Sequence, residues 1–596
     1  MPTWQQLRDL KLSEYTDAAD GWGKVSNRAN TAKDRVDNEM LARIRDSQKG
    51  AAATAAVADL GRLSRNYQYL HTECGLIRTA LNSLASELTA PQKKLRQALE
   101  DAENLKFTVQ PDGSVEYPTT VPIPMAPGKG STNPARNLPL LPTLTVKDPA
   151  APDPHKAKAE DIAARIAAAV REASEIDGRF ASVLRKLKAT PGLDITDAML
   201  VDAAADTRAV QQAAGKYLDD DKIPKGKSPA ENKKWWNALT QEQREEYATL
   251  YPASIGALNG IPATVRDDAN RMVLAETRAQ VQIERDKLAA SEPPKGNVYV
   301  EGRSVRADWR AWDEKRAALD AQLKGMNAIQ DRFDRTGHVQ RPGERPLPEA
   351  YLLGFDIKGN GHAIVANGNP DTADHTNVYV PGLTSRLEII DEDLPRSETL
   401  WGASDAMADG RSVSTITWLG YDAPQSLLDA PRSSFANNGG PLLNSFVDGL
   451  RTTHEGDPTH LTVQGHSYGS TVVGSACRQG TLRADDIFVV GSPGMQYGHA
   501  DDLDVPSGHV WAGKTWDDLV PGVGGPKHGG LHNELPADSG DPNMVIVTPD
   551  DEEFGAHRIS TEGSSGHSGY WDPGTPSLLN QARVTVGKYD KVTLDD

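Results

Sequence analysis

Leu461-Thr-Val-Gln-Gly-His-Ser-Tyr-Gly-Ser-Thr-Val-Val-Gly-Ser-Ala476 decides how the rest of this chain is read. A short apolar run enters a G-x-S-x-G turn at Gly465, Ser467 and Gly469, and a run of small residues suited to a helix leaves it. The context gives the pattern its meaning. Glycine is common here, 52 of 596 residues, so a bare G-x-S-x-G arises readily by chance, whereas the strand–turn–helix surroundings are those of a nucleophile elbow.

A serine on so sharp a corner occupies strained backbone space, and Gly465 and Gly469 are needed where any side chain would strike a neighbouring strand or helix. The Ser467 hydroxyl then stands bare above the sheet. The amide of Tyr468, opening the next helix, is placed to hold an oxyanion beside it.

Outward from the elbow, apolar runs at 351–355, 362–365, 377–380, 415–418, 461–463, 487–490 and 509–511 have the length and spacing of strands. Segments such as 443–450 and 471–477 read as crossover helices, which predicts a mostly parallel, doubly wound sheet with helices on both faces. Ligands of such sheets lie beyond the carboxyl ends of the strands, where Ser467 stands.

A serine hydroxyl needs a base to take its proton, and the base needs a carboxylate to fix its tautomer and stabilise its charge. In this architecture the order along the chain is Ser, acid, His. Asp518 follows the run at 509–511 and is the first choice as acid, with Asp517 as the alternative. Asp485 and Asp486 precede a strand and so belong to the wrong end of the sheet.

His567, in Gly566-His-Ser-Gly-Tyr-Trp571, comes just before a closing helix signalled by Thr575-Pro576 and is the expected base, with His557 as the alternative. His466 packs at the elbow. His528 and His532 lie in a glycine-rich loop that does not hold helical ligand spacing, so no metal site is expected. A second oxyanion donor is expected after Val380-Pro-Gly382, from the amide of Leu383 or Thr384.

Upstream the period is helical. Apolar residues recur every three or four positions from Tyr15 to Ile44, and Leu60, Leu63, Tyr67, Leu70, Cys74, Ile77, Leu81, Leu84 and Leu88 form a heptad seam. The simplest partner for that seam is the first helix, folded back at Gly50. Pro111-Asp-Gly113 signals a small β-hairpin, and prolines crowd the region 118–158 as in an extended linker. Further helices carry Ile162 to Leu187, open at capping boxes at Ser228 and Thr240, and resume after a glycine- and proline-punctuated loop at 252–267. The expected organisation is a helical-hairpin domain at 1–117, a linker at 118–158, a catalytic domain at 341–596, and between these last two a helical region at 159–340 that packs on the catalytic domain.

Two resemblances extend this reading. The two long helices around Gln48-Lys-Gly50-Ala-Ala resemble the WXG-type hairpins handled by type VII secretion systems, although Gln48 stands where that family has its Trp. Tyr69 and Glu73 match the spacing of the export signal of such proteins. From about Pro229 onward, Ile255-Gly-Ala-Leu-Asn-Gly-Ile-Pro, Arg266-Asp-Asp-Ala-Asn-Arg, the elbow itself, Val490-Gly-Ser-Pro-Gly-Met and Gly566-His-Ser-Gly-Tyr-Trp resemble an uncharacterised actinobacterial α/β-hydrolase domain family. That resemblance implies the α/β-hydrolase fold and a Ser-Asp-His triad, and no particular substrate.

Composition removes several classes. A net charge of −18 argues against nucleic acid or anionic membrane as main partner. The N-terminus lacks a basic start with an apolar core and no run of about 18 apolar residues occurs, which predicts neither a Sec-type signal nor a transmembrane span. Cys74 and Cys477 have no disulfide or metal spacing.

The expectation is a serine acyl hydrolase, esterase- or lipase-like. It needs no cofactor, acts on a small-molecule or lipid ester, and is cytoplasmic or exported by a non-Sec route. The competing expectation makes the N-terminal hairpin the working part, a secretion-linked or partner-binding module with the hydrolase fold as scaffold.

Overall fold

The computed structural model describes residues 3–118, 154–187, 194–293, 299–300, 303–534 and 543–595. The predicted proline-rich linker lies, for residues 119–153, outside the described residues. The chain forms two compact units: Met1–Trp22 with Ile77–Lys188 and Val210–Leu218, and Gly23–Leu76 with Ala189–Ala209 and Asp219–Asp596.

In the first unit, helix Trp4–Asp9 opens on a capping box between Thr3 and Gln6 and buries Leu7. Gln92 donates its side-chain amide to the carbonyls of Leu7 (3.0 Å) and Leu10 (2.7 Å). The predicted β-hairpin pairs Thr108–Val109 with Val115–Glu116 around Gly113, whose φ of +88° belongs to glycine. Helix Pro154–Leu184 buries Ile162, Ile166 and Phe180 on the face its periodicity foretold.

The second unit contains the turn of the long helical hairpin. Gly50 reverses the chain with φ +104°, and Ser26 Oγ lies 2.9 Å from His71 Nδ1 across the legs, as an antiparallel fold-back requires. The first leg contains a π-helical stretch, Val36–Leu41. The second leg, Ala51–Asn104, departs from the single-partner expectation. Off its heptad seam, Leu76, Ala80 and Ser83 are buried too, so its middle is covered on more than one side. Tyr69 and Glu73, which match an export-signal spacing, are each only 4% exposed. Among the described residues no helix is long and apolar enough to cross a membrane.

The sheet of the second unit has eight strands: β1 Ala350–Asp356, β2 His362–Asn367, β3 His375–Val380, β4 Val413–Leu419, β5 His460–His466, β6 Asp486–Val490, β7 Val510–Gly513 and β8 His557–Arg558. Their spatial order is β1-β2-β4-β3-β5-β6-β7-β8. β1, β2 and β4 pair antiparallel, and every pair from β4 onward is parallel. β3 and β5 are buried on both faces, and where they carry polar residues these pair with each other, as Asn377 does with Gln464 (3.2 Å). The predicted crossover helices are present as Ser434–Thr453 and Tyr468–Gln479.

The loop and helix after Pro252 acquire a clear purpose. β1 is an edge strand, and unpaired backbone groups along an edge invite association with other chains. Helix Ala263–Ala289 covers them with side chains: Asp267 accepts from the Leu352 amide (2.6 Å), Asn270 donates to the Leu352 carbonyl (2.9 Å) and Arg271 to that of Ala350 (2.7 Å). Arg266 donates to the Leu353 carbonyl. The motif Arg266-Asp-Asp-Ala-Asn-Arg271 seals the sheet.

Candidate active site

β3, β5, β6 and β7 end in register, with Val380 beside Gly465, His466 beside Val490, and Val490 beside Gly513. The segments leaving those ends carry Leu383, Ser467, Gly491 and Asp518, so residues distant in sequence reach one rim of the sheet. At the tip of β5, Ser467 has φ 53° and ψ −130°, a conformation that strains a non-glycine residue by about 1–3 kcal/mol. Its amide donates to the Val490 carbonyl (3.0 Å), which ties the corner to the next strand.

The glycines around the corner are demanded by space. A Cβ on Gly465 would lie 2.6 Å from the Ser470 Cα, and one on Gly469 would lie 2.1 Å from the Val380 carbonyl oxygen. Gly382 approaches from the β3 loop so closely that its Cβ would meet the Ser467 Cβ at 2.7 Å and the Tyr468 nitrogen at 3.0 Å.

His567 enters from the loop before the closing helix Pro576–Thr585. Its Nδ1 lies 2.8 Å from Oδ2 of Asp518, whose side chain is fully buried. Burial would push the Asp518 carboxyl up. Hydrogen bonds from His567, from the Tyr570 hydroxyl (2.6 Å) and from the Val520 amide (2.9 Å) outweigh burial and hold it below the ordinary carboxylate range. Asp517 does different work: it accepts from the Gly566 amide at 2.6 Å and so fixes the loop rather than the ring. The Thr515 hydroxyl reinforces this by donating to the Gly566 carbonyl (3.0 Å).

His466 buttresses the opposite side, donating from Nε2 to the His567 carbonyl (2.8 Å) with the two rings 4.7 Å apart. Burial first, then the nearby Arg396 guanidinium, push its pKa well down, so it stays neutral. Its Nε2 is occupied, as a packing role at the elbow requires.

Ser467 and His567 line one cavity of about 570 Å³ together with Leu383, Thr384 and Tyr468. Among the described residues the Ser467 hydroxyl makes no hydrogen bond; such contacts are often long in unliganded sites and tighten when substrate binds. The Leu383 and Tyr468 amides also lack acceptors among the described residues. The amide of Thr384 is committed to the Pro424 carbonyl (2.8 Å), which leaves Leu383 as the available donor of the two foreseen. Thr384 itself sits at φ 68°, a rare position for a β-branched residue.

Residues 356–527 match the family model described as alpha/beta hydrolase. The C-terminal part of this chain is an α/β-hydrolase domain. An uncharacterised protein of Mycobacterium tuberculosis is 30% identical over 401 residues, covering 62% of this chain and 58% of the relative. A second uncharacterised protein, from Mycobacterium bovis, is 35% identical over 156 residues, covering 25% of this chain and 58% of the relative. The chain thus spans little more than half the length of these curated relatives. A solved arylesterase structure aligns at 10% identity with a TM-score of 0.24, over 52% of this chain and 97% of that one.

Of the remaining sequence-predicted residues of the α/β-hydrolase domain, His557 and Asp486 lie apart from the cavity and His528 reaches it. His557 is on β8, stacked on Trp511 at 4.6 Å, and does not line the cavity. Asp486 opens β6 at the far end of the sheet, as its position before a strand implied. It is fully buried there, and His460 (2.8 Å), His509 (3.0 Å), Trp511 (2.9 Å) and Tyr589 (2.7 Å) surround it as a structural network. His528 lines the cavity, with Nε2 donating to the Ala430 carbonyl (2.7 Å).

Sequence reasoning missed Tyr570, although it stands inside the Gly566-His-Ser-Gly-Tyr-Trp motif and a tyrosine three residues after the base was a usable signal. It also missed Arg396, which lines the cavity, bonds Asp393 (2.7 Å) and the Tyr379 hydroxyl (2.8 Å), and lies over the Trp571 ring.

Proposed function

We propose that the α/β-hydrolase domain is a serine acyl hydrolase cleaving esters with a sizeable apolar acyl group. The observation that carries this reading is the 2.8 Å contact between His567 and the buried Asp518 beside a serine on a strained corner of the same cavity.

In the proposed cycle Ser467 Oγ attacks the carbonyl carbon and its proton passes to His567 Nε2. Asp518 keeps the His567 proton on Nδ1 and stabilises the imidazolium as it forms. The amides of Leu383 and Tyr468 donate to the oxyanion, a contribution of about 10²–10³ in rate for each donor of this kind. The alcohol leaves with the proton from His567, and water then cleaves the acyl-enzyme by the same route in reverse. This chemistry requires no metal or redox group.

The apolar acyl preference comes from the rim. Leu427, Leu519 and Val523 line the cavity yet are 80%, 76% and 78% exposed, and Leu428 and Trp516, close by along the chain, are also exposed. Exposed apolar side chains gathered at one mouth mark a binding surface. The test is hydrolysis of p-nitrophenyl esters from acetyl to decanoyl. Turnover that rises with chain length and vanishes in Ser467→Ala is expected; a folded protein that turns over none of the series contradicts the proposal.

A further inference from the structure

A second cavity, of about 290 Å³, lies within the second unit between the hairpin legs and the helices Asp197–Ala214, Ala263–Ala289 and Val305–Asp334. Its wall is crowded with cations. Lys33 is paired with Asp34 (3.1 Å) and Arg271 with Asp267 (2.8 Å), so both are neutralised locally. Arg65 holds Asp197 at 2.8 Å, and Arg45 reaches Asp334 at 3.5 Å.

Arg278 is different. It lines the same cavity, is partly buried, and among the described residues has no hydrogen bond and no ion pair. Burial first, and then the neighbouring Arg65, lower its pKa, with Asp197, Asp334 and Asp331 opposing. A guanidinium in that position lacks the partner that normally offsets its loss of water. The carboxylate left on the wall, Asp37, is pushed up by burial, with Lys33, Ser64 and Arg271 opposing. Asp37 also stands on the π-helical stretch Val36–Leu41, a local distortion that recurs at functional sites.

We propose that this cavity binds a small anion carrying a phosphate group, with Arg278 as its central contact and Arg65 and Arg45 flanking it. The guanidinium fork matches phosphate oxygens two at a time, and the cavity is too small for much more than the charged group and a short attachment. The site is separate from the Ser467 cavity and shares no lining residue with it.

The test uses the full chain and inorganic pyrophosphate, followed by the thermal unfolding midpoint and by calorimetric titration, with sodium chloride at matched ionic strength as control. Pyrophosphate is expected to raise the midpoint beyond the chloride control, and Arg278→Gln to weaken binding roughly tenfold or more, the loss expected for one charge-assisted bidentate contact. Arg65→Gln is expected to weaken it as well. Without anion, Arg278→Met is expected to unfold at or above the wild-type midpoint, since a side chain kept for a ligand does not support the fold. A wild-type response no larger than that to chloride, equal pyrophosphate binding by Arg278→Gln, or marked destabilisation by Arg278→Met overturns the proposal.

Discussion

His567 Nδ1 lies 2.8 Å from Oδ2 of Asp518, and the same carboxylate oxygen accepts from the Tyr570 hydroxyl at 2.6 Å. The proposed base therefore faces a carboxylate that is buried, doubly hydrogen-bonded through one oxygen, and held ionised by those bonds against the effect of burial. Asp518→Asn keeps the shape and removes the charge, so the wrong imidazole tautomer becomes favoured. Its kcat is expected to fall roughly 10³–10⁴-fold with little change in KM. Asp517→Asn, at a side chain that accepts from the Gly566 amide rather than from His567, is expected to fall far less. Steady-state kinetics of the two variants on one ester check the ordering.

Gly382 supplies a test of the oxyanion side that leaves the triad intact. A methyl group there would press on Ser467 and on the Tyr468 amide at 2.7 and 3.0 Å. Gly382→Ala is expected to lower kcat by about 10²-fold or more while circular dichroism stays native, because displaced oxyanion donors act on the transition state.

The apolar rim predicts a chain-length effect. Leu519→Asp with Val523→Asp places charge on two side chains that line the cavity mouth. The double variant is expected to lose kcat/KM for decanoyl esters by about tenfold, the worth of roughly one to two buried methylenes, and to keep its rate on acetyl esters. Equal losses on both substrates would place the acyl chain elsewhere.

Glu73 predicts a pH effect on stability. Among the described residues its buried carboxyl oxygens have no hydrogen-bond partner, and burial first, then Asp206 and Asp202, raise its pKa to about 8 from an ordinary 4.5. Between those values the folded chain binds a proton that the unfolded chain has lost, so stability falls as pH rises from about 4.5 to 8 and levels off above. Glu73→Gln is expected to raise the unfolding midpoint at pH 8.5, to change little at pH 4.5, and to flatten the profile between them.

Much of this arrangement was legible along the chain because the elbow is local. Gly465, Ser467 and Gly469 lie within five residues, and their roles follow from backbone geometry alone. The strands of the large sheet were legible for a similar reason, apart from β8, whose two residues are too few to carry a period; the small pairings of Gly530–Glu534 with Asn543–Val547 and of Tyr299–Val300 with Arg303–Ser304 were not. Choosing between Asp517 and Asp518 was beyond the sequence, since adjacent aspartates differ only in which way the loop turns them. The sealing of β1 by Arg266, Asp267, Asn270 and Arg271 was equally hidden. It joins side chains on a helix to a strand edge some eighty residues away, and nothing in either segment announces the other. The coverage of helix Ala51–Asn104 beyond its seam was hidden too, because small residues such as Ala80 and Ser83 read as neutral until something packs on them.

The central claim is that Ser467 is an activated nucleophile. Treating the folded chain with a fluorophosphonate probe and locating the adduct by peptide mass spectrometry tests it most directly. The account predicts one adduct, on Ser467, absent from Ser467→Ala and strongly slowed in His567→Ala. No labelling of the folded wild type, or labelling that persists in Ser467→Ala, would contradict it.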